Sequence, residues 1–165
     1  MTSPTDFWAT AGMGDDEHWF LGTLATVKAP AALTGGALSV VEFLHPAGFA
    51  TPRHVHHTAD EAFYILSGSM HGFCGDASFE AGEGTFVWLP RDVPHGYSVD
   101  DGVPVRTLVM ALPGGFDEFV VELAERAGHH GLPTTFEMPD MSTLLAVHAR
   151  HDIEILGPPP APSAG

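Results

Sequence analysis

The stretch GFATPRHVHHTADEAFYILSG, residues 48–68, decides how this chain is read. Three of the eleven histidines fall within four positions, and a glutamate follows four residues after the last of them. In an extended strand, side chains two apart point to the same side. His54 and His56 therefore face together, while His57 faces away. An H-x-H pair on an inward strand face offers two imidazoles. Glu61 opens the next run, EAFYIL, close enough to add a carboxylate. A fourth donor must come from elsewhere, and His95, which follows Pro90 and Pro94 and precedes GYSV, is the candidate. Three neutral imidazoles and one carboxylate suit one divalent transition ion: Fe, Ni, Mn, Co, Cu or Zn. The competing reading is a solvated His/Glu cluster on a polar loop.

The flanking residues weigh between the two. The pattern H-x-H-x4-E alone arises by chance in about one chain in twenty. Here Gly48 stands six before His54 and Gly68 seven after Glu61. A second block, GTFVWLPRDVPH, gives G-x5-P-x4-H from Gly84 through Pro90 to His95. Together these lower the chance rate to roughly one in several hundred thousand, with positions taken as independent.

Outside these blocks the chain reads as many short strands. Segments 19–27, 37–44, 53–57, 61–66, 69–74, 76–80, 85–89, 95–99 and 104–111 are rich in β-branched and aromatic residues, and Gly or Pro punctuates nearly every junction. That spacing predicts an all-β sandwich or barrel. At Pro113 the period changes. FDEFVVELAERAG places Phe116, Phe119, Val120, Leu123 and Ala127 on one helical face, with Gly128 as a C-cap. A second helix is expected from about 141 to 150, with Asp140 as its N-cap. Its Leu144, Leu145 and Val147 are expected to pack on the outside of the β domain.

Length and charge bound the function. The 165 residues suit one domain, and 44% of them are hydrophobic, so a core needs no disulfide. Twenty-one acids against six bases give a net charge of −15. That balance repels phosphate backbones and anionic lipid, which argues against nucleic-acid and membrane partners. No apolar run approaches a membrane span and the first residues do not read as a signal peptide. The lone Cys74, read as a small buried apolar residue, fits a reduced, cytoplasmic setting. His45, His71, His129 and His130 have no partner at ligand spacing, and His57 is expected to be exposed or just behind the site.

Residues 48–68 resemble the first motif of the cupin superfamily, G-x5-H-x-H-x4-E-x6-G, with every position present. GTFVWLPRDVPHGYSV, residues 84–99, resembles the second, G-x5-P-x-G-x2-H-x3-N. Asp92 stands where glycine is usual and Val99 where asparagine is usual, which leaves the turn geometry open but touches no ligand position. The resemblance implies an all-β, jelly-roll-like cupin β-barrel over 19–112 and a metal held by His54, His56, Glu61 and His95. An N-terminal arm (1–18), a helical extension packing on the barrel (113–156) and a disordered tail (157–165) complete the expected organisation. One cupin domain followed by LPGGFDEFVVELAE is similar to the single-domain bacterial cupins that resemble quercetin 2,3-dioxygenase. In that family a flavonol or similar enol is cleaved by dioxygen with loss of carbon monoxide. The resemblance gives Glu61 the role of taking the substrate hydroxyl proton.

Strand parity suggests the pocket. Phe63 and Ile65 share parity with Glu61, Phe86 and Trp88 share one face, and Tyr97 shares parity with His95. Arg106 is expected near a barrel mouth. Such a wall suits a neutral, flat aromatic or enolic small molecule, and the resemblance implies dioxygen as co-substrate. The alternatives are a redox-neutral metal-dependent isomerase, cyclase or decarboxylase, in which Glu61 or Tyr97 moves protons, and a non-catalytic small-molecule-binding cupin. A homodimer is the expected assembly.

Overall fold

The computed structural model describes residues 17–159. In chain order the elements are β1 (Glu17–Phe20), β2 (Thr23–Ala29), a one-turn α1 (Ala31–Thr34), β3 (Ser39–His45), β4 (Arg53–His56), β5 (Asp60–Ser67), β6 (Ser69–Cys74), β7 (Ala77–Gly82), β8 (Phe86–Leu89), β9 (His95–Val99), β10 (Val105–Leu112), α2 (Phe116–Leu123), β11 (Glu125–Arg126), α3 (Met141–Arg150) and β12 (Ile153–Gly157). The strands form two antiparallel sheets. One has seven strands in the order β11-β1-β2-β3-β10-β5-β8, the other five in the order β12-β4-β9-β6-β7.

This corrects the expected barrel. Each sheet ends on its own edge strands, β11 and β8 in one, β12 and β7 in the other, and no ladder joins the two. Closure requires continuous hydrogen bonding around the circumference, which is absent among the described residues. The all-β cupin-like architecture stands, as two open sheets with a C-terminal helix.

The alternation in β3 shows how the interior is made. Ser39, Val41, Phe43 and His45 are buried, while the residues between them are half-exposed. The β10 strand does the same with Val105, Thr107, Val109 and Ala111. The two pair over seven positions, Val105 opposite His45 through Ala111 opposite Ser39. Phe63, Ile65, Met70 and Leu89 are the largest fully buried apolar side chains, and each contributes about 1.5–3 kcal/mol relative to exposure. Gly68 links β5 to β6 at φ 80°, and a Cβ there would lie 2.9 Å from Val105 Cγ2. Only glycine satisfies both the left-handed turn and the close approach.

Several local expectations change. The predicted strand 19–27 is a hairpin, reversed at Leu21 and Gly22, both at positive φ. That is the backbone a two-residue turn between twisted strands requires. The helix after Pro113 ends at Leu123, with Ala124 already extended, so Gly128 is not its cap. Glu125 and Arg126 pair with Trp19 and His18 on the edge of the larger sheet, and the Ala127 N–H donates to the Glu17 carbonyl over 2.9 Å. Strand pairing at an open edge outcompetes helical continuation. The expected cap of the second helix is present: Asp140 Oδ1 accepts from the Thr143 N–H at 3.0 Å. Leu144 and Val147 of this helix are buried, and Leu145 is exposed. Beyond it, β12 pairs with β4, an addition to the smaller sheet that the sequence reading missed. Residues 1–16 of the expected arm and 160–165 of the expected tail lie outside the described residues; Glu17 and His18 belong to β1.

Candidate metal centre

Strand β4 carries His54 and His56 on one side. β9 begins at His95, which sits directly opposite His54 in the ladder between them. Glu61 comes from the other sheet, on β5, opposite Leu89 and Ala111. Three imidazoles on the smaller sheet thus meet one carboxylate from the larger. One donor atom from each of the four residues lies within 4.8 Å of every other. A Glu61 carboxylate oxygen is 3.3 Å from His95 Nε2 and 3.9 Å from His56 Nε2. Four donors bound at about 2.1 Å to one ion would sit roughly 3–3.5 Å apart. His56, Glu61 and His95 are buried and His54 partly so.

The second ring nitrogens show why these imidazoles suit a cation. His54 Nδ1–H donates to the Pro52 carbonyl at 2.8 Å, and His95 Nδ1–H donates to the Val93 carbonyl at 2.9 Å. A carbonyl can only accept, so each Nδ1 holds the proton and a neutral ring offers its Nε2 lone pair to the cluster. His95 Nε2 is buried without a hydrogen-bond partner among the described residues, since its approach to Glu61 lacks the alignment of such a bond. An orphaned nitrogen facing a carboxylate and two further imidazoles is what a bound cation would satisfy. The cluster can coordinate a single divalent transition metal ion.

The charges agree. Burial, aided by His95 and His56, holds the His54 ring down to about 3, and burial also lowers His56. Burial pushes the Glu61 carboxyl up, but His56 and His95 outweigh it and bring it to about 2. Burial opposes protonation of His95 as well, yet Glu61 raises its pKa overall. The cluster sets an ionised carboxylate among imidazoles, the charge balance that a divalent cation needs.

His54, His56 and Glu61 also form part of the wall of a cavity of about 460 Å³. Phe43, Phe49, Tyr97, Phe116 and Phe119 supply much of the rest, and among the described residues no lysine or arginine lines it. Of the residues expected to form the pocket, Tyr97 does. Phe63 lies in the core behind it, edge-on at 5.1 Å, and Ile65 is fully buried away from the cavity. Phe86 and Trp88 point outward. Cross-strand partners share a face, and Glu61 and Phe63 pair with Leu89 and Val87, which puts Phe86 and Trp88 on the solvent side, 56% and 46% exposed. Arg106 is likewise on the outer surface, donating to Glu42 at 3.2 Å, while its neighbour Thr107 points in.

His57 is exposed, between Asp92 and Glu154 at 2.8 and 3.0 Å. Asp92 takes the glycine-like left-handed conformation at φ 61°, which aspartate tolerates, and its N–H donates to the His56 carbonyl at 2.8 Å. The turn of the second motif therefore forms without glycine. Val99 is buried, its N–H donating to the Phe49 carbonyl. Cys74 is partly buried opposite His95 on β6, and burial pushes its thiol up.

Sequence reasoning missed the phenylalanine wall of Phe43, Phe49, Phe116 and Phe119, and two further groups of cavity residues. His45 has no partner at ligand spacing in the sequence, yet it continues the inward series Val41, Phe43 on β3. The second group comes from the C-terminal extension: Met138, Met141, Leu144 and His148 line the cavity, and His148 Nδ1–H donates to the Leu144 carbonyl at 2.7 Å. Leu144, expected to pack on the outside of the β domain, lines the cavity instead, because helical periodicity defines a buried face but not the surface it covers.

Comparison with known proteins agrees with this architecture. Residues 40–111 match the cupin domain family. The uncharacterized protein MJ1618 of Methanocaldococcus jannaschii is 30% identical over 84 residues, covering 51% of this chain and 67% of that protein. Among solved structures, an RmlC-like cupin from Shewanella frigidimarina superposes with a TM-score of 0.57 at 14% identity, covering 69% of this chain and 96% of its own. KdgF from Halomonas sp. gives 0.52 at 15% identity, covering 68% and 93%. At these identities the structural likeness speaks to the fold alone. With the matched domain, the two-sheet architecture and the three-histidine, one-glutamate cluster in place, the chain belongs to the cupin superfamily.

Proposed function

We propose that this cupin is a metal-dependent dioxygenase, similar to quercetinase, acting on a flat, uncharged aromatic or enolisable small molecule. One observation carries the reading: the three-histidine, one-glutamate cluster borders an aromatic cavity of about 460 Å³ that no cationic side chain enters. Cavities of roughly 300–1,000 Å³ hold ligands of drug size. The absence of lysine and arginine disfavours sugar phosphates and dicarboxylates.

A divalent ion held by His54, His56, Glu61 and His95 would supply Lewis-acid polarisation of a substrate oxygen and, if redox-active, access to dioxygen chemistry. The protein's own groups do the rest. Glu61, ionised at neutral pH and in the cavity wall, is the group placed to accept a proton from a substrate hydroxyl. Losing that proton makes the substrate electron-rich toward dioxygen. Phe43, Phe116 and Phe119 exclude water and present flat surfaces to a ring.

Tyr97 favours a second reading, redox-neutral proton transfer. Tyr97 lines the same cavity, and burial, with Glu61 nearby, raises its pKa well above the usual phenol range. A neutral acid beside an ionised base is what an isomerase or decarboxylase needs. Oxygen-electrode measurements on the metal-loaded protein with a flavonol and a 1,3-diketone separate the two. Dioxygen uptake matching substrate loss supports the dioxygenase. Turnover without uptake supports the second reading. Binding without turnover, whatever the metal, refutes both in favour of a binding protein.

A further inference from the structure

We infer that His45, backed by Thr107, is a second polar anchor of the cavity and takes a neutral hydroxyl group on the otherwise apolar body of the ligand. The inference deepens the reading of this cavity as a substrate site and rests on it, but not on the metal.

His45 is 1% exposed and lines the cavity from the larger sheet. Its ring is held from three sides. Phe43 stacks on it at 5.3 Å and 11°, Phe49 lies at 5.0 Å, and Tyr97 meets it edge-on at 5.4 Å. Nε2 is 3.3 Å from the hydroxyl of the fully buried Thr107. Nδ1 is buried with no hydrogen-bond partner among the described residues. A buried polar atom without a partner is costly, and this one belongs to a ring that cannot turn toward water without breaking its aromatic packing.

The chemistry selects the ligand class. Burial lowers the His45 pKa to about 3, so the ring is neutral over the working pH range. If Nε2–H donates to Thr107, Nδ1 accepts; if the threonine hydroxyl donates to Nε2, Nδ1–H donates. A ligand hydroxyl answers either arrangement. A carboxylate or an ammonium would face a neutral ring as an unpaired buried charge, which is disfavoured, and a hydrocarbon would leave Nδ1 unsatisfied. The wall around it suits an aromatic carrier, so a phenol or hydroxylated polycycle is the class.

The test uses 2-naphthol and naphthalene, which differ by one hydroxyl, in equilibrium dialysis against the full chain. The unsubstituted protein is expected to prefer 2-naphthol by about tenfold, the scale of one buried hydrogen bond. His45→Phe and His45→Gln should abolish that contribution. His45→Asn should keep most of it, because asparagine places an amide atom where Nδ1 lies, whereas glutamine reaches toward the Nε2 position. A role confined to packing against Thr107 would reverse the last two. An unchanged preference in both His45→Phe and His45→Gln overturns the inference. Should these variants fail to fold, the imidazole ¹⁵N resonance of Nδ1 in the unsubstituted protein decides. It should move with 2-naphthol and not with naphthalene, and equal shifts overturn the proposal. The His45 effect should persist in a His56→Ala background. Its persistence there while the parent protein binds no metal would sink the metal-dependent reading alone, and its absence with metal binding intact would sink this inference alone.

Discussion

Apart from His148 on α3, four histidines face inward from the strands, and they are held in two ways. His54, His56 and His95 sit on neighbouring strands of the smaller sheet and face a carboxylate from the larger one. For His54 and His95 a backbone carbonyl fixes the far nitrogen and frees Nε2. His45 sits on the larger sheet among aromatic rings, with no carboxylate among its hydrogen-bond partners. Burial alone does not decide what an imidazole can bind. Three rings that converge on an anion suit a cation. A solitary neutral ring in an apolar wall suits a neutral hydroxyl.

The sharpest separation between the two comes from metal content. His56→Ala should reduce bound metal in the purified protein from about one equivalent to under a tenth, measured by plasma mass spectrometry, because one of the four donor atoms is lost and the coordination shell opens. His45→Phe should leave metal content unchanged. Equal losses in the two variants would erase the distinction.

Acid sensitivity separates them next. The folded His45 titrates at about 3 against an ordinary 6.5, so between those values the unfolded chain binds the extra proton. Its contribution to stability is complete above pH 6.5 and is lost as pH falls through that window, at up to about 1.4 kcal/mol per pH unit. Glu61, at about 2 against 4.5, acts in the same direction lower down, complete above pH 4.5 and lost toward pH 2. His54, also held down to about 3, loses stability in the same window, so His45→Phe should make the pH dependence of urea midpoints between pH 6 and 4 shallower without abolishing it, while keeping the fall below pH 4. Parallel profiles for the two proteins would show that His45 titrates normally.

The cluster was legible in the sequence because its information is local. His54, His56 and Glu61 lie within eight positions, and strand alternation aims the first two. His95 needed the second motif, since only the β4–β9 ladder brings it opposite His54. The aromatic wall was less legible. In FVWL every residue is apolar, so the side that faces inward depends on register with β5, which a single strand does not encode. Sheet closure was beyond local reading too: strand lengths and turns are compatible with two open sheets or a closed cylinder. His45 was readable in principle from its place in the alternation of β3, but its partner Thr107 is 62 residues away.

A smaller effect bears on both imidazole sites alike. α3 contributes Met141, Leu144 and His148 to the shared cavity, and Asp140 caps it through the Thr143 N–H and hydroxyl at 3.0 and 2.7 Å. Asp140→Ala should cost about 1 kcal/mol, lowering the calorimetric midpoint by about 2–4 °C. Affinities for 2-naphthol and naphthalene should fall by the same factor, because the cap supports the wall and touches neither polar group. A selective loss of one ligand would tie α3 to one site only.

The smallest expected effect tests the face assigned to β8. Trp88 is opposite Ala62 and 46% exposed, while Leu89, its neighbour, is buried opposite Glu61. If the ladder register holds, Trp88 contacts neither the cluster nor the wall around His45. Trp88→Ser should then change stability by less than about 0.5 kcal/mol and leave metal content and both naphthyl affinities within twofold. A larger loss of ligand affinity would place this ring against the cavity and shift β8 by one residue. That slip would also turn Leu89 outward and leave Glu61 without its buried neighbour on β8, so one exposed tryptophan reports on a strand that braces the carboxylate of the metal cluster.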